Sequence, residues 1–450
     1  MWQRVAALST IMPLLGLTMM VDAVRAEDSP ETQRLQERIR VLEERLDKLE
    51  RVEVIKKTVE YVCPGGEISD QPPPNGRCSD GSRPQVRDTV RKLQIARRES
   101  ISDKIEAALQ EADAKKVTVG GGARGILQQV ANASESGQNQ LFGEGSIDLT
   151  LVYHPMVRTT LFIDFEAITG PGPDRKLGTL SRVNADAETL NAVGGFGGED
   201  SKLTIREAWL WLRFFNDRLD TFIGQLDLSN YFDRNAFAND ETTQFLNQAL
   251  KNNAMLKQPV NGAGLVVRWD AGRDLGFSLG GQSTHPLDQD ILSQPFVIGE
   301  IDYHATFLIE GNYRLWGRVG SVSATSNQRT WGAGISIDQL LTSQFGVFVR
   351  AGFDQAEGVG PTSYATSTGF QWRGLLWDRP RDRLGLGYNY MREAQAPKPE
   401  QVTELYYNLF LTDHIWLIGN VEWIIHGPNT VTGGTNNNVV IPGIRTTVVF

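Results

Sequence analysis

A cluster of charged, amide and aromatic side chains lies between residues 228 and 260. Its polar members are Asp233, Arg234, Asn235, Asp240 and Glu241, and Tyr231, Phe232 and Phe237 stand among them. Carboxylates, guanidinium groups and amides exchange hydrogen bonds with hydroxyl groups, and aromatic faces pack against the apolar side of a sugar ring. The segment therefore has the chemistry to contact hydroxyl-rich solutes.

Signals for catalysis are weak in this chain. Gly276-Phe-Ser-Leu-Gly280 matches the Gly-x-Ser-x-Gly pattern of hydrolases. That motif requires a strand–turn–helix setting, whereas this copy falls inside a predicted strand. The histidines are scattered without metal-ligand spacing at positions 154, 285, 304, 414 and 426. We expect no catalytic residue, no metal site and no cofactor; the alternative enzyme class is a membrane-barrel phospholipase.

The two cysteines, Cys63 and Cys78, flank a loop at 63–83 that contains Pro72, Pro73 and Pro74. In an exported protein such a pair predicts a disulfide, because no histidine lies nearby to complete a zinc site.

The spacing of apolar residues, which indicates the secondary structure that positions these groups, changes along the chain. From Val117 onward apolar residues recur at every second position, as in Ile147, Leu149, Leu151 and Tyr153. This period is typical of β-strands with one apolar and one polar face. Segments of about ten residues match the span of a tilted membrane strand.

Short and long connections between these strands alternate. Seven short turns separate eight mostly longer stretches, at 130–144, 168–202, 228–260, 284–301, 324–329, 355–364, 393–402 and 427–437. The alternation predicts sixteen antiparallel strands with both ends on the short-turn side. It favours a transmembrane barrel at 116–450 over a water-soluble β-sandwich. The inner face of the strand at 203–214 cannot be assigned, since both of its faces carry charges and aromatic residues.

The N-terminal third has other patterns. Arg4, the apolar stretch from Val5 to Val21 and the small residues around Ala26 predict an export signal at 1–26. Heptad-spaced apolar residues predict a coiled coil at 27–62, with a second charged helix at 84–115; the alternative is a lone charged helix. The coiled-coil core would consist of Leu35, Ile39, Leu42, Leu46 and Leu49.

The net charge and the C-terminal strand bear on the partners of the protein and on its location. The net charge is −9, which argues against a nucleic-acid partner. The final strand runs to the last residue, Phe450, with Val448 and Ile444 on its face and Arg445 on the other. This ending resembles the closing strand of bacterial outer-membrane barrels, in which the terminal Phe is read by the barrel assembly machinery.

The run from Ile223 to Leu250, continued by Pro259 to Trp269, resembles the carbohydrate-selective porin (OprB) family. The resemblance spans roughly 117–450 and is strongest at 219–270. It implies a sixteen-stranded outer-membrane barrel that passes sugars and other small hydrophilic solutes, with a third long loop, here 228–260, that folds inward and forms a constriction. Some relatives carry a periplasmic cell-wall-binding domain before a coiled coil, and this chain has no obvious one.

The resulting expectation is an all-β transmembrane barrel with an N-terminal helical coiled-coil extension. The protein would be an outer-membrane homotrimer in contact with lipid, with its helices in the periplasm and a possible cell-wall contact; a dimer is the alternative, since Ile at a with Leu at d can also favour dimers. Besides the loop residues, the pore candidates on the barrel wall are Arg314, Arg318, Arg350 and Glu422, and the wall is also expected to turn Asp164, Glu166 and Arg268 inward. The inner face of the barrel carries both signs of charge. The alternative to a carbohydrate pore is therefore a general or inorganic-ion-permeable pore that also tethers the outer membrane to the cell wall.

Overall fold

The computed structural model describes fifteen segments of the chain. They are residues 55–62, 68–69, 85–92, 117–156, 158–187, 196–197, 201–272, 274–284, 294–305, 309–321, 329–356, 362–374, 379–394, 396–429 and 434–450. The contacts divide the chain into a unit at 1–95 and a unit at 96–450. The predicted export signal, the heptad positions 35–49, and Cys63 and Cys78 lie outside the described residues.

The first unit contains a small antiparallel sheet. Its strands are Ile55–Val62, Ile68–Ser69 and Gln85–Lys92, with Ile55 opposite Lys92. The helical predictions were therefore wrong for residues 55–62, the end of the predicted coiled coil, and for 85–92 in the predicted second helix. The spacing of four between Val86 and Val90 fits a helical face, but it fits the two-residue period of a strand equally well. The β-branched residues and Tyr61 favour the strand.

Sixteen long strands of the second unit form a closed antiparallel barrel. They are β1 (Val117–Gln129), β2 (Leu141–Met156), β3 (Thr159–Thr169), β4 (Ser201–Phe214), β5 (Leu219–Leu226), β6 (Gly262–Gly272), β7 (Leu275–Ser283), β8 (Pro295–Ala305), β9 (Gly311–Ser321), β10 (Arg329–Leu340), β11 (Phe345–Ala356), β12 (Ser363–Arg373), β13 (Arg383–Arg392), β14 (Glu400–Thr412), β15 (Ile415–Ile425) and β16 (Val439–Val449). The predicted strand number is confirmed. The predicted alternation of short and long connections holds except between β12 and β13, where residues 374–382 form a longer connection than residues 357–362 or 393–399 on either side.

Short elements lie in the connections. They are the helices α1 (Asp174–Leu177) and α2 (Gln248–Lys251), the 3-10 turns Ser136–Gln138 and Leu228–Asn230, and the short strands Phe196–Gly197, Gly427–Asn429 and Gly434–Asn436. None of the helices in the described segments is long and apolar enough to cross a membrane.

Several connections differ from the sequence prediction. Residues 141–144 and 400–402, predicted as loop, begin β2 and β14. Residues 295–301, predicted as loop, belong to β8, where Pro295 occupies the first strand position and so removes no central ladder bond. Gly311 and Asn312, predicted as a turn, instead pair with β8 and β10 as part of β9.

The barrel is apolar outside and polar inside. On β2, Ile147 and Leu149 are about half exposed, whereas Asp148 and Thr150 between them are buried. The terminal strand follows the same rule, with Ile444 and Phe450 exposed outside and Arg445 fully buried inside. Such an exterior suits a lipid bilayer, and the interior suits polar groups.

Pairing of β16 with β1 closes the barrel. Gly121 and Phe450 exchange two backbone hydrogen bonds of 3.0 Å. A Cβ on Gly121 would lie 2.7 Å from the Phe450 ring, so glycine makes room for the terminal side chain.

Candidate functional site

The long connection between β5 and β6 lies against the inner face of the barrel, and we call residues 228–260 the inner loop. Most side chains from Tyr231 to Asn253 are buried. At its start the loop packs on β5 and β7, where Tyr231 lies 4.8 Å from the Phe222 ring and Phe232 lies against Gly280. Its polar contacts to inward-facing residues of β8 to β16 are described below in chain order.

Asp233 attaches the start of the inner loop to the wall. Its carboxylate pairs with Arg350 Nε at 2.9 Å and accepts hydrogen bonds from Trp316 Nε1 at 2.9 Å and from the Asn253 backbone N–H at 2.8 Å. The Asp233 N–H donates to Glu300 at 2.7 Å. These groups come from β8, β9, β11 and the returning half of the loop, so one residue connects four segments.

Arg234 and Asn235 continue this attachment toward β9 and β10. The Arg234 carbonyl accepts from Arg314 Nη1 at 2.8 Å and Ser336 Oγ at 2.9 Å. Asn235 Nδ2 donates to Ser336 Oγ at 3.2 Å. The Arg234 guanidinium lies 3.5 Å from Asp302. Burial, with Arg268 and Arg314 nearby, lowers the pKa of Arg234 to about 9, so the group keeps its charge at neutral pH.

The far end of the inner loop reaches the short-turn end of the barrel. The Thr242 carbonyl accepts from Thr447 at 3.0 Å, and the Gln244 carbonyl accepts from Arg445 Nη2 at 2.6 Å. The Asp240 carboxylate accepts hydrogen bonds from Thr242 and Thr243, so it caps the turn of its own loop. These contacts carry the loop past the middle of the barrel.

The returning half is held by wall carboxylates that accept main-chain N–H groups. Glu404 accepts from the N–H groups of Leu246 at 2.9 Å and Asn247 at 3.0 Å. Glu422 accepts from Asn247 Nδ2 at 2.9 Å. The loop leaves the wall at Lys257, whose ammonium group pairs with carboxylates of β11 and of the loop after β13 at 3.1 and 2.9 Å.

A second connection, residues 170–187 between β3 and β4, also packs on the inside. Glu400 accepts from the N–H groups of Leu180 and Ser181, at 3.0 and 2.8 Å. Its backbone then pairs with the inner loop, with Ala185 N–H bonding Leu246 O at 2.9 Å. The inner loop is therefore supported by a second loop as well as by the barrel wall, and the sequence of the inner loop did not predict that contact.

Charged side chains on the inner faces of β1 to β4 form an ion-pair network that reaches the inner loop. Arg124 pairs with Asp148 at 2.5 Å and with Asp186 at 3.0 Å. Arg206 lies 3.5 Å from both Glu166 and Glu241. A bulge in β4, where Glu207 and Ile205 oppose consecutive residues of β3, turns Arg206 and Glu207 both inward. These residues connect the wall to the inner loop by charge.

All nine sequence-predicted pore residues lie on the inner loop or the inner wall. Arg350 and Asp233 form one pair, Arg234 and Arg314 meet beside Asp302, and Arg318 binds Asp354 at 2.5 Å. A second predicted group comprises Asn235, Asp240, Glu241 and Glu422. Glu241 pairs with Lys251 at 2.8 Å, whereas Asp240 bonds only within its turn in the recorded contacts. Their part in permeation stays a prediction.

Sequence reasoning missed several charged residues that form ion pairs or hydrogen bonds on the inner wall and with the two inner loops. The missed residues are Arg124, Asp186, Arg206, Lys251, Glu400 and Glu404. Two-residue alternation on β1 and β14 could have found Arg124 and Glu404. The bulge hides Arg206, and the 170–187 loop has no periodicity that would reveal Asp186.

The hydrolase-like motif sits inside the wall. Ser278 is in the middle of β7, opposite Arg268 and Glu300, and not at a strand–turn–helix junction. Across the described segments, no three His, Cys, Asp or Glu side chains are arranged to share a metal ion.

Comparisons with known proteins agree with this architecture. Residues 307–450 match the model of the carbohydrate-selective porin, OprB family. An uncharacterized protein of Aquifex aeolicus is 24% identical over 240 residues, covering 53% of this chain and 70% of the relative. The high-pH structure of Pseudomonas putida OprB superposes with a TM-score of 0.60 at 13% identity, covering 77% of this chain and 97% of that one.

The low-pH structure of the same porin covers 79% of this chain and all of its own length, with a TM-score of 0.51 at 15% identity. The resemblance indicated by residues 223–269 is thus confirmed from a different part of the sequence: the C-terminal segment matches the carbohydrate-selective porin family, and the barrel has the fold of OprB.

Proposed function

We propose that this protein is an outer-membrane porin through which small hydrophilic solutes, carbohydrates among them, diffuse passively. The observation that carries the proposal is a long polar loop held against the inside of a closed barrel whose outer face is apolar. A barrel with an apolar exterior is stable in a bilayer, and a polar interior accommodates water and hydrated solutes.

The inner loop supplies the constriction in this proposal. It is hydrogen-bonded to the wall from β8 to β16 and also contacts Arg206, Phe222 and Gly280 of β4, β5 and β7, so solutes would pass between the loop and the inner faces of β1 to β7 that it leaves open. Arg124 and Arg206 on the wall and Glu241 and Lys251 on the loop form buried ion pairs that would border this passage. Charges of both signs offer donors and acceptors to hydroxyl groups without favouring a fully ionic solute.

Two measurements on purified protein test the proposal. In planar bilayers it should give open channels, and in liposomes swelling should proceed with small sugars and slow as sugar size rises. Reversal potentials in salt gradients decide between a carbohydrate pore and the general or inorganic-ion alternative, which the mixed charges also support. Absence of conductance in repeated reconstitutions would end the porin proposal.

We further propose that the protein has no catalytic activity. The position of Ser278 within a wall strand supports this, since no helix follows it to build a nucleophile elbow. Hydrolysis of phospholipid by purified barrel, abolished in Ser278→Ala, would favour the phospholipase alternative instead.

The remaining proposals concern assembly. Phe450 is proposed to be read by the barrel assembly machinery, since its ring lies exposed on the outer face at the end of the closing strand. A homotrimer, with the N-terminal segment in the periplasm and in possible contact with the cell wall, is supported by the heptad spacing at 35–49. Native mass measurement, and deletion of residues 27–115 followed by assays of envelope integrity, test these points.

Cys63 and Cys78 are proposed to form a disulfide. Closing a loop of this length contributes about 3 kcal/mol to the segment it closes in the chain-entropy model. Thiol labelling of denatured, unreduced protein should modify neither cysteine, and full labelling of both would show that there is no bridge.

A further inference from the structure

A row of half-buried polar side chains crosses the inner wall at the short-turn end of β4 to β7, beyond the contacts of the inner loop with Phe222 and Gly280. Arg213, Asp220, Arg268 and Ser278 stand on β4, β5, β6 and β7 and are direct cross-strand partners in that order. All four are of intermediate exposure, in contrast to the buried charges deeper in the barrel. Cross-strand partners on one face lie about 5 Å apart, so the row is continuous.

An aromatic residue borders this row. Trp211, half-exposed, stacks on Phe222 with ring centres 5.4 Å apart and planes 13° from parallel. Its indole N–H donates to Asp220 at 2.9 Å, and the Arg213 guanidinium carbon lies 4.8 Å from the ring centre. Trp209, two residues earlier on the same face, is buried under neighbouring aromatics. Trp211 is thus the member of this aromatic group that faces the open end.

Arg268 has unused hydrogen-bonding capacity. Within the described part of the chain, no hydrogen bond or ion pair involves its side chain, although Asp220 and Ser278 flank it in register. A guanidinium group has five N–H donors in a rigid plane. In this half-exposed position those donors can bind a solute from the lumen.

We propose that Trp211, Asp220 and Arg268 form a second sugar-contact subsite at the short-turn end, separate from the constriction. The proposal rests on the proposed porin function: a solute would reach this subsite after it has passed the inner loop. The C–H side of a pyranose ring lies against the exposed part of the Trp211 indole, which the buried Phe222 ring supports from beneath. Its hydroxyl groups donate to Asp220 and accept from Arg268, which matches the border between an aromatic and a polar row.

Sugar block of the ionic current through single channels tests the subsite. Glucose and maltose are added to wild-type protein and to Trp211→Leu, Trp211→Phe and Arg268→Gln, and binding constants are taken from the concentration dependence of the block. Loss of an aromatic or bidentate contact should weaken binding about fivefold in Trp211→Leu and Arg268→Gln, whereas Trp211→Phe should stay within about twofold. Trp331→Leu, on the lipid-facing side of β10, is the matched control.

Heat-dependent gel migration shows whether each variant is folded. If sugar blocks the wild-type channel and the folded Trp211→Leu and Arg268→Gln variants are blocked equally well, the subsite is refuted while the porin function stands. A wild-type current that neither sugar blocks overturns the subsite, and if liposomes also fail to swell in either sugar the carbohydrate function is overturned with it.

Discussion

Removal of the Asp233 carboxylate should release the inner loop from the wall. In Asp233→Ala, Arg350 loses its ion-pair partner, and Trp316 Nε1 and the Asn253 N–H lose their acceptor. Asp233 and Arg350 are both fully buried. Breaking a buried charge pair by removing one partner costs about 3–5 kcal/mol. That cost falls on the attached state of the loop, because a detached loop lets water reach Arg350.

An energy of this size shifts the ratio of attached to detached loop by about a hundredfold or more. Single-channel recordings should therefore show a higher conductance with larger current fluctuations. Limited proteolysis should cut Asp233→Ala within residues 228–260, where the wild type resists. Arg350→Ala should give the same result, and the double variant should be little worse than either single one, since they remove the same pair.

Asp240→Asn is the matched control. Asp240 is buried in the same loop, but its recorded hydrogen bonds are to Thr242 and Thr243 in its own turn, and an Asn side chain can accept the same backbone bond. It should leave the protease resistance of the loop unchanged. The reasoning fails if Asp233→Ala conducts like the wild type and its loop resists protease equally well.

Three further changes have defined outcomes. Glu241→Gln, which removes a carboxylate from the proposed passage, should shift the reversal potential in a salt gradient toward lower cation preference, and an unchanged potential would place Glu241 outside the ion path. Arg234→Ala should shift it in the opposite direction, and a shift of the same sign would contradict the assignment. Gly121→Val brings a Cβ to 2.7 Å from the Phe450 ring and from a β2 carbonyl oxygen, whereas nothing lies within 4 Å of a Cβ at Gly125, also on β1. Heat-modifiable barrel recovered from membranes should fall severalfold for Gly121→Val but not for Gly125→Val, and equal yields would show that Phe450 is not constrained there.

Most of the barrel could be predicted from the sequence, because one face of each strand meets apolar surroundings and the other polar ones. As a result, apolar residues recur at every second position in segments such as 147–153. The period fails at β4, where the bulge at Arg206 moves the inward face from even to odd positions. This shift explains why both faces of 203–214 carry charges and aromatic residues: the inside contains Arg206 before the shift and Trp209 after it.

Other errors have a different origin. The periods of helices and strands share a spacing of four residues, so Val86 and Val90 could not separate the two structures. Contacts of the inner loop with the 170–187 loop depend on backbone hydrogen bonds such as Ala185 to Leu246. Backbone bonds leave no residue signature, so the sequence could predict which side chains the loop offers but not what supports it.

The manner in which the loop is anchored has a consequence for engineered channels. Glu300, Glu400 and Glu404 accept main-chain N–H groups of the two inner connections. Every residue except proline has an N–H group, so these anchors do not depend on which side chain the connection carries at that point. Loop positions that face the solute could therefore be rewritten, or foreign binding motifs grafted there, while the wall keeps its hold, which makes this barrel a scaffold for pores of chosen selectivity.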